Sequence, residues 1–236
     1  MTRRRDIVVD GISRDDLTEE RIEQLRREWA LPENFSLLTA EQREESRTAA
    51  LAPLGDGNDL WVFGYGSLMW NPAIHVAERR AGLVKGWHRR FCLWMPVGRG
   101  SPEAPGLMLG LDRGGSCRGI LWRVAADQIE NETRILWRRE MTAGGYHARW
   151  VTAHTDDGPI RAITFVVNRD YPAYARAITP EQTVHALAVA RGPLGRARDY
   201  LHNTVAHLDE LGLEDGPLHR LLADVDAYAR RNGGGS

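Results

Sequence analysis

Residues 60–70 read LWVFGYGSLMW. The run from Leu60 to Tyr65 has the length and apolar composition of a buried strand, and it leads into a Gly66-Ser67 step before the chain turns apolar again. A small polar residue at a strand exit, with glycine before it and tyrosine before that, admits three readings: a nucleophile, a loop whose backbone N–H groups hold an anion, or a tight turn. The residues on either side must choose among them.

Outward from this stretch, residues 59–170 are rich in strand signals. "GLVKGWHRRFCLW" (82–94) is bulky and interrupted by Gly86. "GLMLGLD", "RGGS" and "CRGILWRV" (106–124) read as a hairpin, and so do "HARWVTAHT", "DDG" and "PIRAITFVV" (147–167). Glycines inside several strands suggest tight bends and close backbone approach, as in a small closed or half-closed barrel. One helix interrupts the strands, "ADQIENETRILWRREM" (126–141), and Gly144-Gly145 close it before Tyr146 opens a strand. The chain from 171 to 231 is helical: Thr179-Pro180-Glu181-Gln182 combines a capping box with proline at the first helical position, and two further helices follow. The fold class expected is therefore α+β, a small mixed β-barrel with surrounding helices.

Residues 1–58 read as a helical N-terminal extension packed on the outside of that domain, which runs over 59–231. Thr18 followed by Glu19 and Glu20 starts one helix, with Ile22, Leu25 and Trp29 at helical spacing. Thr39 and Gln42 form a capping box for a second, which stops before Pro53. "NGGGS" (232–236) reads as a disordered tail.

Composition narrows the class. The 236 residues carry a net charge of −1, which gives no electrostatic case for nucleic acid or an anionic membrane as partner. No apolar run spans a bilayer, and no apolar segment follows the basic start MTRRR, so the expected location is cytoplasmic. Cys92 and Cys117 are too few for a disulfide framework or a cysteine metal site. The single lysine, Lys85, argues against Schiff-base chemistry. The histidines lack H-E-x-x-H, and His202 and His207 are spaced wrongly for one helical face, so no metal site is expected. Met69 sits where a G-x-S-x-G elbow needs glycine, and it also occupies the last position of a G-x-G-x-x-G fingerprint begun at Gly64. What remains for Ser67 is the anion loop or the plain turn.

On the interrupting helix Ile129, Thr133, Leu136 and Glu140 share one face. Glu140 thus extends the inward stripe in the final turn. Burial and the negative end of the helix dipole would both raise its pKa, which suits a general base or acid near neutral pH. The other reading is a glutamate salt-bridged to an arginine at a frayed helix end.

The combination of "VFGYGSLMWNP" (62–72), "GWHRRFCL" (86–93), "GRGSPEAPG" (98–106), "LWRREMTAGGY" (136–146) and "GPLG…YL" (192–201) resembles the ChaC family of γ-glutamylcyclotransferases, from about Trp61 to about Leu222. The resemblance implies a small mixed barrel with helices around it. It implies that Tyr65, Gly66, Ser67 and Leu68 hold a γ-glutamyl group largely through backbone, that Glu140 is the catalytic acid/base, and that Tyr200 lies near the substrate. Tyr146 and Arg99 fall within the matched motifs, Arg99 as a candidate for the glycyl carboxylate. Two departures fall toward the substrate's far end: "MPVG" (95–98) stands where many members have Ser-Thr-Asp-His, and Ala197 replaces an asparagine. The implied reaction is cyclisation of the γ-glutamyl group of reduced glutathione to 5-oxoproline, with no cofactor and no covalent intermediate. Trp70, Phe91, Trp94 and Tyr146 are expected to wall the pocket against oxidised glutathione. Other γ-glutamyl compounds, or a non-enzymatic role in cation transport, are the alternatives.

Overall fold

The computed structural model describes residues 13–28, 35 and 37–233. Trp29, the Leu25 side chain and residues 234–236 of the expected tail lie outside them. The chain enters through α1 (Glu19–Glu28) and α2 (Ala40–Leu51). Thr18 Oγ1 accepts from Arg21 N at 3.2 Å at the start of α1, and the Thr39–Gln42 capping box closes reciprocally with bonds of 2.9 and 3.2 Å. Both helices begin where their capping residues place them.

Five strands then close a barrel: β1 (Leu60–Gly64), β2 (Glu78–Met95), β3 (Gly106–Val124), β4 (Tyr146–Thr155) and β5 (Gly158–Val167). Their order is β1-β3-β2-β4-β5, antiparallel except for the closing pair, in which β1 meets β5 in parallel at Val62↔Ile163. The barrel is therefore mixed, as expected. Leu60, Val62, Phe63, Leu111, Leu121, Ile163 and Phe165 are fully buried; Val62 and Phe63, adjacent on β1, point to opposite faces, so both faces of the sheet are packed.

The expected hairpin over 106–124 is not one. Those residues form a single strand, β3, paired with β2 from Met95↔Gly106 to Glu78↔Arg123. Gly114 (φ 101°) and Gly115 (φ 65°) do take the left-handed backbone that a turn would use. They lie beside Gly86 (φ 83°) on the partner strand, where the register shifts between Lys85 and Trp87. Both strands therefore bulge together and the two-stranded ribbon bends instead of reversing. The true connection of this pair is the loop over 96–105.

Helix α3 (Ile129–Glu140) crosses between β3 and β4. Its inward stripe is as expected: Thr133 and Leu136 are each 1% exposed. After β5 come α4 (Pro180–Val189), the short strands β6 (Arg191–Gly192) and β7 (Gly195–Arg196), α5 (Ala197–Glu210) and α6 (Gly216–Arg231). The Gly-Pro-Leu-Gly step that precedes α5 is thus a minimal hairpin. No described helix is long and apolar enough to cross a membrane.

The described part of the N-terminal segment packs on α3. Arg14 forks onto Glu132 with Nη1–Oε2 at 2.5 Å and Nη2–Oε1 at 2.8 Å. Glu19 accepts from Arg43 and from Arg138. Arg47 bonds Glu130 and Thr133, and Trp137 Nε1 donates to Ser46 Oγ at 3.2 Å. Leu38 N donates to Thr142 O at 2.9 Å, just beyond the C-terminal end of α3. The helix that ends in Glu140 is held from outside along its length.

Candidate active site

Beyond β1 the chain makes one 3₁₀ turn, Ser67–Met69. Every carbonyl from Tyr65 to Leu68 is occupied by a protein donor. Arg89 Nε reaches Tyr65 O at 2.5 Å, Met69 N reaches Gly66 O at 2.8 Å, Asn71 N reaches Ser67 O at 2.9 Å, and Trp122 Nε1 reaches Leu68 O at 2.8 Å. A trans peptide places each carbonyl opposite the next N–H. The N–H groups of Gly66, Ser67 and Leu68 are therefore turned away from those donors. Arg89 is itself buried and ties the loop to the start of α6 through Asp215 Oδ2 at 2.9 Å. Leu68 is buried, so what it can offer a ligand is backbone.

A Cβ placed on Gly66 would lie 3.4 Å from Leu109 Cδ2 and 3.5 Å from the Tyr200 hydroxyl. The loop thus looks across a narrow space at Tyr200, near the start of α5. Leu109 O in turn accepts from the Tyr146 hydroxyl at 2.8 Å. Phe91 backs Tyr200 edge-on with ring centroids 5.9 Å apart. Trp70, expected in the same wall, instead stacks on His207 at 4.4 Å.

Glu140 completes this group from the end of α3. Its side chain is 17% exposed. Burial raises its pKa above the usual carboxylate range, and the Arg139 guanidinium pulls the other way. Its charge is felt by all three tyrosines. Tyr200 is pushed up to about 12 by burial first and by Glu140 next, and Tyr65 and Tyr146 are raised well above their ordinary value. The structure thus brings Tyr65, Gly66, Ser67, Glu140, Tyr146 and Tyr200 to one end of the barrel.

The two readings of Glu140 turn out to be compatible: it is buried and it is ion-paired. Arg139 Nε donates to Glu140 Oε1 at 3.1 Å, and Arg139 Nη2 donates to Ser67 Oγ at 3.0 Å. Arg139 is the residue that sequence reasoning missed. Adjacent helical side chains diverge by about 100°, so spacing argued against a 139–140 contact. Only the reach of a guanidinium turned inward brings it round.

Arg99 sits one layer out. Its guanidinium lies over the Tyr200 ring at 5.3 Å, and Nη1 donates to Arg196 O at 3.4 Å. The 96–105 loop is seated on the β6–β7 hairpin: Leu194 N donates to Gly98 O at 2.8 Å, and a Cβ on Gly192 would be 2.2 Å from that same oxygen. Only glycine allows this approach. An outer cleft of about 290 Å³ lined by Trp150, Val151, Thr152, Pro159 and Arg161 does not include the Glu140 group.

Comparison with known proteins gives the family and the fold. A family profile described as "ChaC-like protein" matches residues 60–228. The chain is 39% identical over 201 residues to the "Glutathione-specific gamma-glutamylcyclotransferase" of Escherichia coli (strain K12), covering 85% of this chain and 87% of that one. It is 32% identical over 178 residues to "Glutathione-specific gamma-glutamylcyclotransferase 1" of Homo sapiens, covering 73% and 80%. A crystal structure of a γ-glutamyl cyclotransferase specific to glutathione from yeast superposes with a TM-score of 0.66 at 21% identity, over 72% of this chain and 96% of that one.

Proposed function

The chain belongs to the ChaC-like protein family, and on that premise we propose that it cleaves reduced glutathione by cyclising the γ-glutamyl group, releasing 5-oxoproline and cysteinylglycine. The observation that carries this reading is Glu140. It is a carboxylate raised in pKa by burial, tied through Arg139 to a loop whose carbonyls are all used by the protein.

The reaction needs little beyond positioning and one proton shuttle. The α-amine and the γ-carbonyl belong to the same residue, and attack closes a five-membered ring. The amine must first lose a proton, because an ammonium group has no lone pair. Glu140 accepts that proton. As the carbon–nitrogen bond to cysteine breaks, Glu140 returns the proton to the departing amine, which cannot leave as an anion. The N–H groups of the 66–68 loop take the charge that develops on the γ-carbonyl oxygen. The 65–68 loop, Tyr146 and Tyr200 hold the γ-glutamyl chain folded. Enforced proximity of this kind contributes up to ~7–11 kcal/mol in favourable intramolecular reactions. A raised pKa serves both halves, since a less acidic carboxyl is a stronger base in the first and still an acid in the second.

Ser67 in this reading is no nucleophile. Its hydroxyl accepts from Arg139 Nη2, and among the described residues no histidine or other base bonds it. In the same reading Arg99, whose guanidinium lies over Tyr200 on the loop that follows β2, takes the glycyl carboxylate, which a guanidinium can bind bidentately. The test is product analysis with two substrates. Glutathione should give equal amounts of 5-oxoproline and cysteinylglycine, while γ-glutamylalanine should be a poor substrate. Equal rates on both would assign a broader γ-glutamyl specificity, and no product from either would leave a binding protein.

A further inference from the structure

The guanidinium of Arg139 is 7% exposed and makes two bonds, from Nε to Glu140 and from Nη2 to Ser67. Its third nitrogen, Nη1, is buried and has no hydrogen-bond partner among the described residues. A buried guanidinium N–H without an acceptor is a cost that folded proteins rarely carry. It lies on the same planar group that already touches the carboxylate and the loop. Whatever satisfies it must therefore be an acceptor brought to a point beside both.

The chemistry of the proposed substrate supplies one. The amine that Glu140 must deprotonate sits on the α-carbon, and the α-carboxylate is bonded to that same carbon. A base and a carboxylate receptor for such a group have to be neighbours, and Glu140 and Arg139, whose side chains meet at 3.1 Å, are. We propose that Arg139 binds the α-carboxylate of the γ-glutamyl group through Nη1, while its other two nitrogens hold Glu140 and Ser67 in place. This inference rests on the glutathione-cleaving reading above. It assigns the negative charge of the substrate to a side chain and leaves the loop N–H groups for the carbonyl oxygen. Burial favours a neutral Glu140, and the Arg139 guanidinium opposes this by favouring the ionised form.

The test compares glutathione with its analogue in which the γ-glutamyl α-carboxylate is a carboxamide, using wild type, Arg139→Met and Arg139→Gln. Wild type should prefer the carboxylate by about 10- to 100-fold in kcat/KM, the usual worth of a charge-assisted hydrogen bond. Both variants should lose that preference: the loss from no longer holding Glu140 and Ser67 falls on both substrates, and glutathione should lose about 10- to 100-fold more than the carboxamide. Arg139→Gln can still bond Ser67 without carrying charge, which keeps the comparison available if Arg139→Met folds poorly. Equal losses on the two substrates would overturn the assignment and make Arg139 a purely structural residue. Absence of turnover in wild type would instead contradict the glutathione reading, so the two failures are distinct.

Discussion

At Glu140 burial and Arg139 act in opposite directions, and burial prevails. Glu140→Gln keeps the shape and cannot shuttle a proton, so turnover should fall by about 10²–10⁴-fold or more. Residual activity above about a tenth of wild type would place the base elsewhere. The same substitution has a stability signature. A carboxyl whose folded pKa lies above its unfolded value loses stability as pH rises between the two, because the folded state holds the proton more tightly. Glutamine carries no such penalty. The melting temperature of Glu140→Gln relative to wild type should therefore rise from acidic to neutral pH, and a constant difference would mean that Glu140 is well solvated. At the loop, Ser67→Ala removes one acceptor of Arg139 and should keep activity within about tenfold. Gly66→Val should be far worse, since its methyls would fill the space before Leu109 and Tyr200. Complete loss in Ser67→Ala, together with an acyl adduct trapped on Ser67 of the wild type, would restore the nucleophile. Glu140 and Ser67 could be singled out in the sequence from helical stripe and strand exit. Arg139 could not, because its role depends on where one long side chain turns.

Among the elements, those with local signals were legible. The capping boxes at Thr39 and Thr179 and the hairpin of β4 and β5 are short-range features, and they form where the residues place them. The β2–β3 ribbon was not, because a glycine pair announces a turn locally while the pairing that overrides it spans up to 45 residues of chain, as at Glu78↔Arg123. That ribbon carries the 96–105 loop, and with it Arg99, to the β6–β7 hairpin. If this loop reads the glycyl end, Arg99→Ala should raise KM for glutathione more than it lowers kcat, because the contact is remote from the reacting carbonyl. γ-Glutamylcysteine, which lacks the glycine, should be nearly indifferent to the change. Steady-state kinetics on both substrates decide it, and equal losses would take Arg99 out of substrate recognition.

For the molecule as a whole, the described N-terminal segment holds α3 from outside while the barrel holds it from within. Glu132 shows how. It is fully buried, yet its pKa is lowered, because bonds from Arg14 and the His75 backbone outweigh burial. Nothing near Glu132 in sequence reveals this partner, since Arg14 lies 118 residues away. Arg14→Ala should cost roughly 1–3 kcal/mol, the usual penalty for stripping a buried acceptor, with His75 N at 2.8 Å keeping it from being larger. Chemical denaturation measures this, and an unchanged midpoint would mean that the segment does not brace α3. Bracing matters here because the proposed chemistry is an intramolecular attack, for which the enzyme supplies position and a proton acceptor and the substrate supplies the nucleophile. That claim is tested most directly by turnover of glutathione in water enriched in oxygen-18. The account predicts unlabelled 5-oxoproline in equal amount with cysteinylglycine and no free glutamate. Glutamate carrying the heavy oxygen in its γ-carboxylate would show that water attacks the carbonyl, and would contradict it.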